Sequence, residues 1–206
     1  SVGAAYAFLN SAILYQAPYA VAPTDYNRSE ASSDTRVAYG KFTDMFCVNC
    51  HDLFHSTFAN GLVHPVGQTL SSAIRANYNS YVKSGDMTGT SGTAYLSLVP
   101  FQEDNQTNLA TLLSQTTKTD GAVSGSEKVT CLSCHRAHAS GFDSMLRYSV
   151  QSTFVTINGA YPDMGTNPDD AMGRTVAEMQ QAYYDRPAST FASYQRVLCN
   201  KCHAKD

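Results

Sequence analysis

The sequence predicts a mainly irregular fold with short α-helices and little β-structure. Three observations lead to this prediction: helical periodicity occurs only in short stretches, loop-forming Gly, Pro, Ser and Asp separate them, and one cysteine motif recurs three times in 206 residues. The hydrophobic content of 43% is that of a globular protein. We therefore predict a single domain over residues 1–206, in which residues 1–46 form an N-terminal arm without the cysteine motif.

The elements expected in the middle of the chain are short. In residues 68–83 the apolar side chains recur at helical intervals, which predicts an amphipathic helix. Residues 93–101 indicate a short strand that Pro100 stops. A second helix is expected within residues 105–115.

Two further helices are expected in the last quarter of the chain. Asp169 or Asp170 is expected to cap a helix that runs to about Tyr184. Ser189 is expected to cap another helix, which ends on the third cysteine motif. Pro187 separates the two.

Charge argues against nucleic-acid binding, and hydropathy argues against a transmembrane segment. Lys and Arg number 14 against 17 Asp and Glu, so the chain has no basic excess with which to neutralise nucleic-acid phosphates. The most apolar stretch, residues 2–21, is too often interrupted by polar residues, Gly and Pro to span a bilayer. We predict neither nucleic-acid binding nor a transmembrane segment. The absence of an initiator Met fits a mature exported chain.

All six cysteines belong to motifs of one form, Cys-x-x-Cys-His. The motifs are Cys47-Val48-Asn49-Cys50-His51, Cys131-Leu132-Ser133-Cys134-His135 and Cys199-Asn200-Lys201-Cys202-His203. This is the attachment pattern of c-type haem. Cysteines at i and i+3 lie on the same side of a helical turn, so each sulfur can form a thioether with one vinyl group of the same porphyrin. The following His can then bind the iron as proximal ligand.

Two other chemistries explain the cysteines less well. Three disulfides would give no reason for a His after every second Cys. A zinc site would combine two Cys pairs at shorter separation than the roughly 65 to 80 residues between these motifs. We therefore predict three covalently attached haem c groups, with the core of the protein built around them. Because thioethers form after export, we expect the protein outside the cell or at its surface, or alternatively in the periplasm.

The number of histidines matches the number of axial positions on three irons. The predicted proximal ligands are His51, His135 and His203, and the remaining histidines are His55, His64 and His138. Six imidazoles for six axial positions predict bis-His coordination at every iron. Methionine is the alternative ligand. Because none of the six Met stands in a repeated relation to a motif, we interpret them as core residues.

Spacing restricts which iron each remaining His can bind. His55 is four residues after His51, and His138 is three after His135, so each pair lies on one side of a helical turn. Axial ligands approach an iron from opposite faces of the porphyrin. We therefore expect His55 and His138 to bind haems held by other motifs. His64 lies in a segment with Gly and Pro and can serve any of the three irons.

The segments Cys-Val-Asn-Cys-His-Asp-Leu-Phe-His-Ser and Cys-Leu-Ser-Cys-His-Arg-Ala-His-Ala-Ser resemble the repeat of the doubled-CxxCH multihaem cytochromes. The later segment His64-Pro65-Val66-Gly67 is similar to the distal-ligand segment of that group. More broadly, the chain resembles secreted multihaem cytochromes of metal-reducing bacteria, some of which form extracellular filaments. The resemblance implies a head-to-tail homopolymer in which His55 binds a haem of the neighbouring subunit.

Three closely spaced haems in a chain of this size predict electron transfer. Saturated irons have no position for a substrate, so we do not expect an enzyme. The first hypothesis is a subunit of an extracellular filament that passes electrons to redox partners or an extracellular acceptor. The second is a discrete periplasmic or surface shuttle, which the low charge favours less. The third is a multihaem reductase, which requires one remaining His not to be a ligand.

Overall fold

The computed structural model describes residues 18–23, 36–48, 66–90, 95, 97, 99–116, 123–137 and 139–203. The regular elements in these residues are few and short. The strands are β1 (Ala20–Val21) and β2 (Ala38–Tyr39), and the helices are α1 (Thr43–Val48), α2 (Ser72–Ser80), α3 (Leu109–Gln115), α4 (Cys131–Cys134), α5 (Pro168–Ala171), α6 (Val176–Ala182) and α7 (Asn200–His203). The predicted fold class is confirmed. No helix in the described part is long and apolar enough to cross a membrane.

Two helices form where local sequence signals coincide. Helix α2 begins after Ser71, whose side chain accepts a hydrogen bond from the Ile74 backbone N–H at 3.3 Å. Helix α3 begins after Asn108, whose side chain accepts from two backbone N–H groups of the first turn. These caps satisfy donors that a helix leaves without internal partners. Both helices were predicted. Each begins later in the chain than the periodicity indicated, because it starts directly after its capping residue.

The single helix predicted from Asp169 or Asp170 to Tyr184 is wrong. Both aspartates lie inside the short helix α5, which ends at Met172 in the left-handed conformation, with φ at 49°. A new helix, α6, begins after Thr175. The Thr175 side chain accepts from the Glu178 N–H, and the Glu178 carboxylate accepts from the Thr175 N–H. This capping box starts a new helix at a point where we had predicted the interior of a single longer helix.

Two other local predictions are also wrong. Ser189 lies in a 3₁₀ turn, Ala188–Thr190, which has no side-chain cap and leads into extended backbone at Phe191. Helix α7 on the third motif is therefore a separate turn. At the described residues of 93–101 the backbone belongs to no strand. Just beyond this segment, Gln102 forms isolated bridges to Tyr39 and Lys128.

The small sheet lies within the N-terminal arm and contacts the segment before α3. Strands β1 and β2 pair antiparallel, with Ala20 opposite Tyr39. The Lys41 N–H donates to the Gln106 carbonyl at 2.8 Å, and the Glu103 N–H donates to the Tyr39 carbonyl at 2.7 Å. Backbone hydrogen bonds thus hold this part of the arm against the segment before α3.

Two clusters of buried apolar side chains form the core. The larger, here the tyrosine cluster, contains Tyr81, Tyr95, Phe142, Tyr148, Val155, Tyr161, Met179, Ala182, Tyr183 and Phe191. The smaller, here the Leu70 cluster, contains Leu70, Tyr78, Phe101 and Val123. Rings in the tyrosine cluster contact one another directly: the Tyr161 and Tyr183 centroids are 5.7 Å apart and stacked, and those of Phe142 and Tyr183 are 4.8 Å apart. Tilted and stacked rings at these separations attract one another beyond the area they bury.

The interpretation of all six methionines as core residues is wrong. Met179 is 1% exposed in the tyrosine cluster, and Met172 packs against that cluster. The others, Met45, Met87, Met145 and Met164, are exposed by 37 to 51%. Aromatic side chains fill the core, so it has little space for flexible thioethers.

Candidate haem-binding site

The second cysteine motif forms a helical turn that its own polar residues cap. In α4 the Thr130 side chain accepts from the Leu132 N–H at 3.1 Å, and the Ser133 hydroxyl accepts from the Thr130 N–H at 3.1 Å. Ser133 also donates to the Pro100 carbonyl at 2.6 Å, which ties the turn to a distant segment. The turn places Cys131 and Cys134 on the same side, as the thioether chemistry requires.

The third motif has the same local geometry. The backbone N–H groups of Cys202 and His203 both donate to the Cys199 carbonyl, at 3.2 and 3.1 Å. Cys199 packs against the tyrosine cluster, whereas Cys202 packs against the Leu70 cluster. The third motif therefore lies where the two parts of the core meet.

Only part of the first motif falls within the described residues. Cys47 lies in α1, and its thiol is half-buried. The other predicted ligands, Cys50, His51, His55, His64 and His138, lie outside the described residues.

The motifs lie close to one another, although the sequence separates them widely. In the unmodified chain the Cys131 thiol hydrogen-bonds to Cys47, which lowers the pKa of Cys47 to about 7 and raises that of Cys131. On its other side, Cys134 is near enough to Cys199 and Cys202 to act on their ionisation. Burial is the main cause that raises the pKa of Cys202 to about 11, and Cys134 adds to it. The second motif thus lies near both the first and the third.

A backbone carbonyl fixes the orientation of His135. The Ser144 carbonyl lies 2.8 Å from Nδ1 of His135. A carbonyl can only accept, so Nδ1 carries the proton and Nε2 has the lone pair that can bind iron. Hydrogen bonds from the Arg136 N–H to the Met145 carbonyl and from the Arg147 N–H to the Cys134 carbonyl, both 2.8 Å, hold the segment in place. Sequence reasoning missed this contact, because a backbone acceptor has no residue signature.

A narrow, open cleft adjoins the second and third motifs. Aromatic side chains and arginines line most of it, including Tyr95, Arg136, Arg147, Tyr148 and Arg186, and Leu198 adds an aliphatic contact. The Tyr148 hydroxyl donates to the Cys134 sulfur at 3.5 Å. Aromatic faces suit a porphyrin ring, and guanidinium groups suit its two propionate carboxylates. Together with the paired thiols and the oriented imidazole, these residues fit a covalently attached haem.

No protein-family model matches the chain. Its sequence is 48% identical, over 216 aligned positions, to the C-type cytochrome OmcS of Geobacter sulfurreducens. The chain is thus similar to a c-type cytochrome along its whole length. The alignment covers 100% of the chain and 49% of OmcS, so the chain spans about half the length of this relative.

Two solved structures agree with this assignment. They are the Outer Membrane Cytochrome S filament and the OmcS nanowires by cryo-EM, both from Geobacter sulfurreducens. The chain matches each with a TM-score of 0.79, at 47 and 48% identity, over 100% of its own length and 51 and 52% of theirs. At this identity the comparison extends beyond the fold, and covalently bound haem c is what a c-type cytochrome carries.

Proposed function

We propose that the protein transfers electrons through three haem c groups as part of an extracellular filament. The observation that carries this proposal is the 48% identity over the whole chain to OmcS, whose solved structures are a filament and nanowires. On this proposal the protein is located outside the cell. Its partners are copies of itself, together with redox proteins or an extracellular electron acceptor.

The haem attachment sites follow from the motifs. Cys47 and Cys50, Cys131 and Cys134, and Cys199 and Cys202 bind one haem each, with His51, His135 and His203 as proximal ligands. The helical turns of the second and third motifs support this assignment, as does the hydrogen bond that orients His135. His55, His64 and His138 supply the distal imidazoles. With both axial positions of every iron occupied, the protein moves electrons and does not catalyse a substrate reaction.

The order of the motifs in space supports a single electron path. Cys131 contacts Cys47, while Cys134 is close to Cys199 and Cys202. Electrons therefore pass between the first and the third haem through the second.

Haem content and particle shape test the proposal separately. The mass of the purified protein should show three haems, and its ferric spectrum should be entirely low-spin. Electron micrographs of the secreted material should show micrometre-long threads. Discrete particles with three haems each would overturn the filament and leave electron transfer standing.

His55 provides the sharper test of how subunits join. If it binds a haem of the neighbouring subunit, His55→Ala should convert threads to discrete particles and leave one high-spin haem in each subunit. His64→Ala is the matched comparison, since it also removes one imidazole. Equal thread lengths in the two variants would contradict a special role for His55.

A further inference from the structure

Lys201 is buried inside the third motif, between Cys199 and Cys202. The residue is 1% exposed. Nζ lies 3.1 Å from the Tyr78 carbonyl and 3.4 Å from the Tyr81 carbonyl. Lysine is almost never fully buried unless nearby groups compensate its charge. The surroundings of Nζ therefore favour a positively charged side chain at this position.

Three tyrosine rings surround the ammonium group. Nζ is 4.4 Å from the ring centroid of Tyr78, 5.6 Å from that of Tyr95 and 5.7 Å from that of Tyr81. Ring faces attract a cation at these distances, and the attraction increases when water is excluded. Tyr78 belongs to the Leu70 cluster and the other two to the tyrosine cluster, so both parts of the core contribute to the cage.

The two carbonyls lie at the C-terminal end of α2. Carbonyl groups in the last turn lack partners within the helix, and the helix dipole makes this end negative. Helix α2 has no basic residue in its own last turn. Lys201 supplies the positive charge from a point 120 residues away along the chain. A hydrogen bond between neutral groups also joins α2 to the third motif: Asn77 Nδ2 donates to the Cys202 carbonyl at 3.0 Å.

We propose that Lys201 is a positioning residue that docks the third motif on α2 and raises the reduction potential of the haem attached there. The proposal rests on the proposed function, in that Cys199 and Cys202 must carry a haem. Reduction adds negative charge to the haem. A cation held beside the motif, away from solvent, stabilises the reduced form of the haem more than the oxidised form. Because the cation is buried, dissolved salt screens this interaction only weakly.

Neutral and conservative variants of the holoprotein test the proposal by spectroelectrochemical titration. Lys201→Met removes the charge, and Lys201→Gln removes it while keeping a hydrogen-bond donor. Each should lower one of the three midpoint potentials. At the wild-type midpoint of that haem, the ratio of reduced to oxidised haem should decrease by about tenfold. Lys201→Arg should retain the wild-type potential.

Two controls separate charge from docking. Asn77→Ala removes the neutral contact to the same motif, so it should lower the unfolding temperature and leave all three potentials in place. Lys83→Met removes an exposed lysine and should change neither quantity. Three unchanged potentials in a folded, fully haem-loaded Lys201→Met or Lys201→Gln would overturn the proposal.

Haem counting keeps the two proposals distinguishable. A wild-type protein without haem on Cys199 and Cys202 contradicts the proposed function itself. If both neutral variants fail to fold while Lys201→Arg folds, the charge is required at this position, which supports the docking role. If Lys201→Arg also fails, side-chain shape matters more than charge, and the proposal is wrong.

Discussion

At the scale of single residues, His135 shows how backbone conformation can position a proposed iron ligand. Ser144, whose carbonyl accepts from His135, lies in the left-handed region with φ at 55°. A β-branched side chain is strained there. We therefore expect Ser144→Val to displace the carbonyl and weaken the hydrogen bond. The imidazole then becomes a weaker donor to the iron, and the potential of the second haem should rise in a spectroelectrochemical titration.

Ser144→Gly is the matched control for this prediction. Glycine adopts positive φ without strain, so the carbonyl should stay in place and the potential should not change. Equal potentials in the Val and Gly variants would show that the hydrogen bond does not set the basicity of His135.

Methionine burial gives a second prediction at the residue scale. Met179 is 1% exposed within the tyrosine cluster, whereas Met164 is 51% exposed. Met179→Ala leaves a cavity among aromatic rings and should lower the free energy of unfolding by about 2 to 5 kcal/mol. Met164→Ala should change it by less than about 0.5 kcal/mol. Denaturant titration of both holoproteins measures the difference, and similar values would mean that Met179 is not packed in the core.

At the scale of elements, helix caps explain which predictions succeeded. Periodicity and the caps Ser71 and Asn108 are local, so α2 and α3 could be predicted from the sequence. The long helix ending at Tyr184 failed because Met172 and Gly173 both adopt positive φ and end α5 early. Gly173 was a readable stop signal. Thr175 was a readable start signal as well, because Glu178 follows it at the spacing of a capping box, whereas Ser189 is followed at that spacing by Ala192.

The two residues Thr175 and Ser189 therefore form a matched pair for the third prediction. Thr175→Ala removes the side-chain half of the capping box of α6 and should lower the free energy of unfolding by about 1 kcal/mol. Ser189→Ala removes a hydroxyl that caps no helix and should have an effect below about 0.5 kcal/mol. Denaturant titration of both variants provides the comparison. A larger loss from Ser189→Ala would contradict the assignment of the caps.

At the scale of the whole molecule, the sequence predicts the chemistry of each attachment site but not how the sites are arranged. The Cys-x-x-Cys-His spacing is a local property, because one helical turn determines it. The contact between Cys47 and Cys131 brings together residues far apart in the sequence, as does the burial of Lys201 against α2. Both depend on tertiary packing that no short motif encodes.

The spatial order of the motifs leads to the last prediction. Cys131→Ala with Cys134→Ala should remove the second haem, which lies between the other two in the proposed path. Cys199→Ala with Cys202→Ala should remove the third, at one end, and leave the first and second haems as neighbours. Both variants lose one haem by mass. The EPR spectrum is recorded on subunits dissociated from the filament, so that haems of neighbouring subunits do not contribute. Magnetic coupling between ferric haems should then persist in the end variant and disappear in the middle variant, because coupling requires adjacent irons. Coupling retained in both would place the first and third haems in direct contact and contradict a single path.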